Sequence, residues 1–187
     1  MDIFLPKNKA DRDRYKRLFI HSATHWFTPA MYESMEDYVR SGGLLISNSS
    51  IFGIDRNGDY QLGPEDGWMK KPGNKTLGVR GSSTAYMTRM KVETDCPLTR
   101  GLPNEDWVPL ERKVAGRFAV NYGAKVVATS DRIYRDKPAG TQPLLTYRHA
   151  GRGASIYIVA HLQDEPHLEK ILENALSREA LDWLTAD

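Results

Sequence analysis

Between Tyr15 and Ser47 the chain spells out a strand, a helix and a second strand, each with its boundary marked. Leu18-Phe19-Ile20 is a short apolar run. Thr28 offers an N-cap hydroxyl, and Pro29 follows at the first helical position, where its missing N–H is no loss. Met31, Met35, Tyr38 and Val39 then recur at three- and four-residue spacing, which predicts a helix with one buried face. Arg40 in the last turn and Gly42-Gly43 close it, and Leu44-Leu45-Ile46 begins a second buried strand. Two strands joined by a helix pair in parallel, and such sheets carry ligands at the carboxyl ends of their strands. Function is therefore sought just after Ile20 and Ile46.

The rest of the chain changes character. Asp2 to Leu5 reads as a short strand stopped by Pro6. From residue 48 to 81 periodicity gives way to glycines and prolines, an irregular insertion of a length that is often functional. Tyr86 to Val92, Val114 to Val120 and Lys125 to Thr129 read as strands, with a turn-rich CPLTRGLP between the first two. Leu144 to Tyr147 and Ser155 to Ala160 flank Gly151-Arg152-Gly153 as a hairpin, and Pro166 opens a helix burying Leu168, Ile171, Leu172, Ala175 and Leu176. Parallel units first and antiparallel pieces later predict one α/β domain over residues 1–187. The expected sheet is mostly parallel with a mixed edge, and a doubly wound domain's usual opening strand and helix are missing.

Composition excludes more than it selects. With 40% hydrophobic and 27% charged residues over 187 positions, the chain can bury a sizeable core. Twenty-six basic against 24 acidic residues provide no broad field for nucleic acid, and the basic stretch Lys7 to Arg17 reads as a solvated connection. No apolar run is long enough to span a membrane, and the first residues lack a signal peptide's pattern. The lone Cys96 excludes an internal disulfide and favours a reducing, cytoplasmic setting.

Taken in order, DIFLP, YKRLFI, YVRSGGLLIS, KTLGVRG, CPLTRGLP, KVVATS and PLLTYRHAGRGASIYIVA with the closing helix resemble the class I glutamine amidotransferase-like superfamily. Within it the chain looks most like the trimerisation domain of bacterial beta-galactosidases, with the ThuA-like sugar-utilisation proteins second. The resemblance implies a flavodoxin-like three-layer sandwich and a role in carbohydrate metabolism. It implies a non-catalytic assembly or accessory domain whose partner is a glycoside hydrolase catalytic domain or further copies of itself. The alternative is a ThuA-like enzyme or a sugar-binding protein.

Amidotransferase chemistry needs a cysteine on a sharp turn after the second strand, and a histidine with a carboxylate after a late strand. Ser47, Asn48, Ser49 and Ser50 stand at the first place. At the second, His161 matches the family's histidine position, but Gln163 replaces the carboxylate, so glutaminase activity is not expected. A nucleophilic Ser47 or Ser49 served by His161 lacks the small-residue elbow that presents such a serine. A histidine at a loop end more often makes a structural hydrogen bond.

Two further groups are candidates for binding. His21, His25 and Trp26 follow the first strand and share an edge with Asn48, where an aromatic face and polar groups suit a carbohydrate. Equally, Trp26, Phe27, Tyr60, Trp68 and Trp107 suit a subunit contact. Asp55, Asn57, Asp59 and Asp66 fall at positions one, three, five and twelve of a calcium-loop spacing. Glycine stands at position four rather than six and the last ligand is Asp rather than Glu, so an Asp-Asn-Gly turn competes with calcium and no cofactor is required. Glu65, Asp66, Glu105, Asp106 and Glu111 include no pair whose spacing marks glycoside hydrolysis.

Overall fold

The computed structural model describes residues 14–20, 29–48, 77–121, 123–160 and 165–185. The described residues form one seven-stranded sheet in the order β1-β2-β7-β6-β5-β3-β4 with three helices. The strands are β1 (Arg17–Ile20), β2 (Leu44–Ser47), β3 (Val79–Val92), β4 (Val108–Asn121), β5 (Lys125–Tyr134), β6 (Lys137–Ala150) and β7 (Gly153–Ile158). The helices are α1 (Pro29–Arg40), α2 (Pro166–Leu176) and α3 (Arg178–Thr185).

The opening unit folds as its punctuation dictates. α1 begins at Pro29 and ends where Gly42 turns left-handed at φ +107°, with the Gly42 and Gly43 amides donating to Val39 O and Tyr38 O. β1 and β2 then pair in parallel, Ile20 opposite Ser47, and β7 joins β2 in parallel, Ser47 opposite Tyr157. Met35, Tyr38 and Val39 are buried, as the spacing requires. Every residue of β2 and β7 is buried too, which means both faces are covered. Full burial of each Leu or Ile there is worth about 1.5–3 kcal/mol. Trp183 of α3 packs edge-on against Tyr147 of β6, with ring centroids 4.9 Å apart. Gly43 sits against the Tyr38 ring, leaving no room for a side chain between helix and strand.

The expectation of a mostly parallel, flavodoxin-like sandwich requires correction: β3, β4, β5, β6 and β7 are joined antiparallel, and only β1, β2 and β7 run parallel. The ribbons are longer than alternation alone indicates. β3 starts at Val79, inside the stretch read as irregular insertion, and β4 at Val108 rather than Val114. Two features hide them. Pro109 is tolerated because β4 is an edge strand in the ladder order, and β6 opens with Pro138 and Gly140 exposed and Pro143 partly buried. The β6–β7 hairpin around Gly151 forms as predicted.

A bulge bends the long ribbon. β3 slips register between Met87 and Arg89, and there the buried Asp131 carboxylate accepts from Thr88 N (2.8 Å), Arg89 N (3.1 Å) and Thr88 Oγ1 (2.7 Å). The carboxylate takes the place of ladder carbonyls where pairing fails. The sheet curls far enough that β4, at its far edge, returns to β7: Gly116 forms an antiparallel bridge with Ala160. The result is a mixed sheet curled into a half-barrel, closed at one point.

Candidate site at the carboxyl edge of the parallel strands

The three parallel strands end together. Ile20, Ser47 and Tyr157 are register partners, and Tyr157 is in turn paired with Thr146 of β6. Paired residues on neighbouring strands project to the same face, so Ser47, Tyr157 and Thr146 are three hydroxyl-bearing residues in one lateral row. All three are at most 1% exposed, and Asn48, next along the chain, is equally buried. The Asn48 amide reaches Ile20 O at 3.4 Å, tying the ends of β1 and β2 together.

Hydroxyl groups are costly to bury, about 1–3 kcal/mol each when unsatisfied, so a buried polar row in a sheet core calls for a reason. Thr146 Oγ1 has no hydrogen-bond partner among the described residues. Elsewhere on β6, beyond the register shift, Gln142 donates from Nε2 to Ser130 Oγ at 3.3 Å, while its Oε1 has no partner among the described residues. Among the described residues the hydroxyl row holds no histidine and no carboxylate.

Both ends of the segment carrying His161 are held by β4. Ala160 is bridged to Gly116, and a Cβ at Gly116 would lie 2.6 Å from Val159 O, so only glycine allows the approach. On the other side stands Glu165, a fully buried carboxylate that the sequence reading missed. Its Oε2 accepts from Leu168 N at 3.0 Å as the N-cap of α2, and its Oε1 accepts from Glu111 N of β4 at 3.4 Å. The signal was there in the acid before Pro166, although glutamate is not among the favoured caps.

Of the candidate residues, the structure brings Ser47 and Asn48 to this edge, with the Ser47 side chain in the core rather than on a solvent-facing turn. His21, His25, Trp26, Ser49, His161 and the possible calcium ligands Asp55, Asn57, Asp59 and Asp66 lie outside the described residues. Among the described residues no three His, Cys, Asp or Glu side chains cluster as a metal site would require. Cys96 is half-buried against the core, with Thr99 Oγ1 3.7 Å from its sulfur. Trp107 lies 4.8 Å beneath the Arg89 guanidinium. No described helix is long and apolar enough to cross a membrane.

Comparison with known proteins places this architecture. No family model matches the chain, and no curated protein matches it. Among solved structures, a GH42 beta-galactosidase from G. stearothermophilus superposes with a TM-score of 0.60 at 20% identity, over 86% of this chain and 21% of its own. A thua-like protein from Bacteroides uniformis gives 0.59 at 16% identity, over 89% of this chain and 69% of its own. A cytoplasmic protein from Salmonella typhimurium gives 0.61 at 16% identity, over 99% and 78%. The chain thus shares the fold of these structures, and spans about a fifth of the beta-galactosidases it matches.

Proposed function

We propose that this domain is a non-catalytic assembly or accessory unit of a glycoside hydrolase in carbohydrate metabolism. The observation that carries this reading is that nearly the whole chain superposes on a fifth of a beta-galactosidase, the share expected of an accessory domain. Two features of the edge support it. Ser47 is buried rather than presented on a turn, and among the described residues its row holds no acid or base. Purified chain incubated with glutamine, and with a nitrophenyl galactoside, should release neither ammonia nor nitrophenol above the heat-denatured control. Release of either, abolished by His161→Ala, would overturn the non-catalytic reading.

The second reading is a ThuA-like or sugar-binding function at the carboxyl edge. It is favoured by coverage of 69% of the thua-like protein and by the polar residues gathered at this edge. Ser47 and Asn48 would line the site, with His21, His25, Trp26 and His161 on the segments that leave this edge. Calorimetric titration with a panel of neutral sugars separates the two readings, since saturable binding lost in Ser47→Ala belongs only to the second.

A further inference from the structure

The antiparallel half of the sheet carries opposite charge at its two ends. At one end the β5–β6 hairpin projects residues 134–141, all exposed. Its two turn residues, Arg135 and Asp136, are left-handed at φ +50° and +57°, a conformation that Asn and Gly adopt at lower cost than arginine. Tyr134, 37% exposed, carries the Arg135 guanidinium 5.3 Å from its ring centre and the Arg132 guanidinium 6.0 Å away. The tip's one carboxylate is already engaged. Asp136 pairs with Lys113 at 2.7 Å, which holds its carboxyl below the usual range, so Arg135 and Lys137 stand without an ion pair among the described residues.

At the other end, the turn that follows β3 exposes Glu93, Asp95, Glu105 and Asp106. Lys91 takes Asp106 at 2.7 Å and Arg100 takes Glu179, leaving Asp95 and Glu105 without an ion pair among the described residues. This turn is a firm platform. Thr99 Oγ1 accepts from Cys96 N at 3.0 Å and donates to Thr94 O at 2.8 Å, and Asn174 of α2 donates to Leu98 O and Arg100 O.

β3 and β5 set the separation: Tyr86 lies opposite Ile133 near the tip, and Val92 lies opposite Ala128 near the acidic turn. Allowing for the residues beyond each, the two ends stand roughly 25 Å or more apart at about 3.3 Å per residue, too far to meet within one molecule. We propose that the Tyr134-Arg135-Lys137 tip docks on the Asp95–Glu105 face of a second copy of this chain, head to tail. Such a heterologous contact joins unlike surfaces, so it closes into a ring or propagates as a filament according to the rotation between copies. It gives a use to an arginine held in a conformation better suited to glycine at the exposed turn. The proposal deepens the assembly reading and rests on it for the expectation that this half of the domain meets a macromolecule.

Sedimentation velocity over a micromolar concentration series, in about 0.01 M and about 0.5 M salt, tests the contact through its screening. The wild-type chain should associate at low salt and dissociate at high salt. Arg135→Glu with Lys137→Glu should weaken association by about tenfold or more, because like charges would then face each other, and Asp95→Lys with Glu105→Lys should do the same. Mixing the two reversed proteins, or combining all four changes in one chain, should restore it. Unchanged circular dichroism confirms that each variant is folded. A wild-type chain that stays monomeric, or whose association ignores these reversals, overturns the head-to-tail contact. Co-sedimentation of that monomer with a GH42 catalytic segment, lost in the tip variant, would give the hairpin to the hydrolase instead and leave the accessory reading standing.

Discussion

Gly116 of β4 is bridged to Ala160, two residues past the end of β7, although three strands of the sheet stand between β4 and β7 in the ladder order. This contact closes the half-barrel and fixes where the segment containing His161 leaves it. A methyl group at position 116 would meet Val159 O at 2.6 Å and the Met87 methyl at 2.9 Å. Gly116→Ala should therefore cost about 1–3 kcal/mol through overpacking. Thermal denaturation should show a Tm lower by roughly 2–4 °C per kcal/mol. An unchanged Tm would mean the bridge contributes nothing.

Asp131 has a comparable role at the bulge, where its carboxylate accepts three hydrogen bonds from Thr88 and Arg89. Removing it leaves two backbone amides without acceptors in a part-buried position. Asp131→Ala is expected to destabilise the domain by about 2–4 kcal/mol, with Asp131→Asn recovering part of the loss by keeping one oxygen. Urea titration measures both. Equal losses in the two variants would show that shape and a single oxygen do not suffice and that the bulge needs both carboxylate acceptors.

Tyr38 supplies a test in pH. Its phenol is buried beneath Gly43, donates to Tyr15 O at 3.0 Å, and is pushed well above the ordinary tyrosine value, by desolvation first, with hydrogen bonding to the Leu44 backbone and the Arg17 charge pulling it back less strongly. A raised folded-state value means the neutral phenol is favoured in the native state, so its stabilisation is complete below about pH 10 and declines as pH rises above that. Tyr38→Phe should be less stable than wild type by about 1 kcal/mol at neutral pH. The difference should shrink above about pH 10 by as much as 1.4 kcal/mol per unit. Urea melts from neutral to alkaline pH check the sign, and a constant difference would refute the buried, neutral phenol.

The opening unit was legible because each boundary carried its own chemistry: Pro29 began the helix, Gly42 ended it, and the apolar runs on either side became the parallel pair. The antiparallel ribbons were only half legible. Gly81, Pro109, Pro138, Gly140 and Pro143 read as turns in a window of a few residues, yet an edge strand and an exposed hairpin tolerate them. Direction was harder still. Periodicity says that a strand is buried on one face and nothing about which neighbour it pairs with, so a parallel start was extrapolated to a sheet that is antiparallel in its larger part. At the edge, Ser47 and Asn48 were found because they follow a strand in sequence. Tyr157, Thr146 and Glu165 were missed, because the register and cap that place them depend on strands far away in the chain.

Thr146 brings stability and function into opposition. Its hydroxyl is buried with no partner among the described residues, in line with Ser47 and Tyr157. Valine has nearly the same shape and no oxygen to desolvate. If the row is only part of an assembly domain's core, Thr146→Val should stabilise the fold by about 1 kcal/mol, because an unsatisfied hydroxyl is removed without opening a cavity. If the row receives a sugar, the same variant should gain that stability and lose affinity by about tenfold, the worth of one hydrogen bond to a polar ligand. Urea denaturation paired with sugar titration on the one variant reads both quantities. A destabilised Thr146→Val would refute both expectations, for it would show that the hydroxyl is satisfied in the native state.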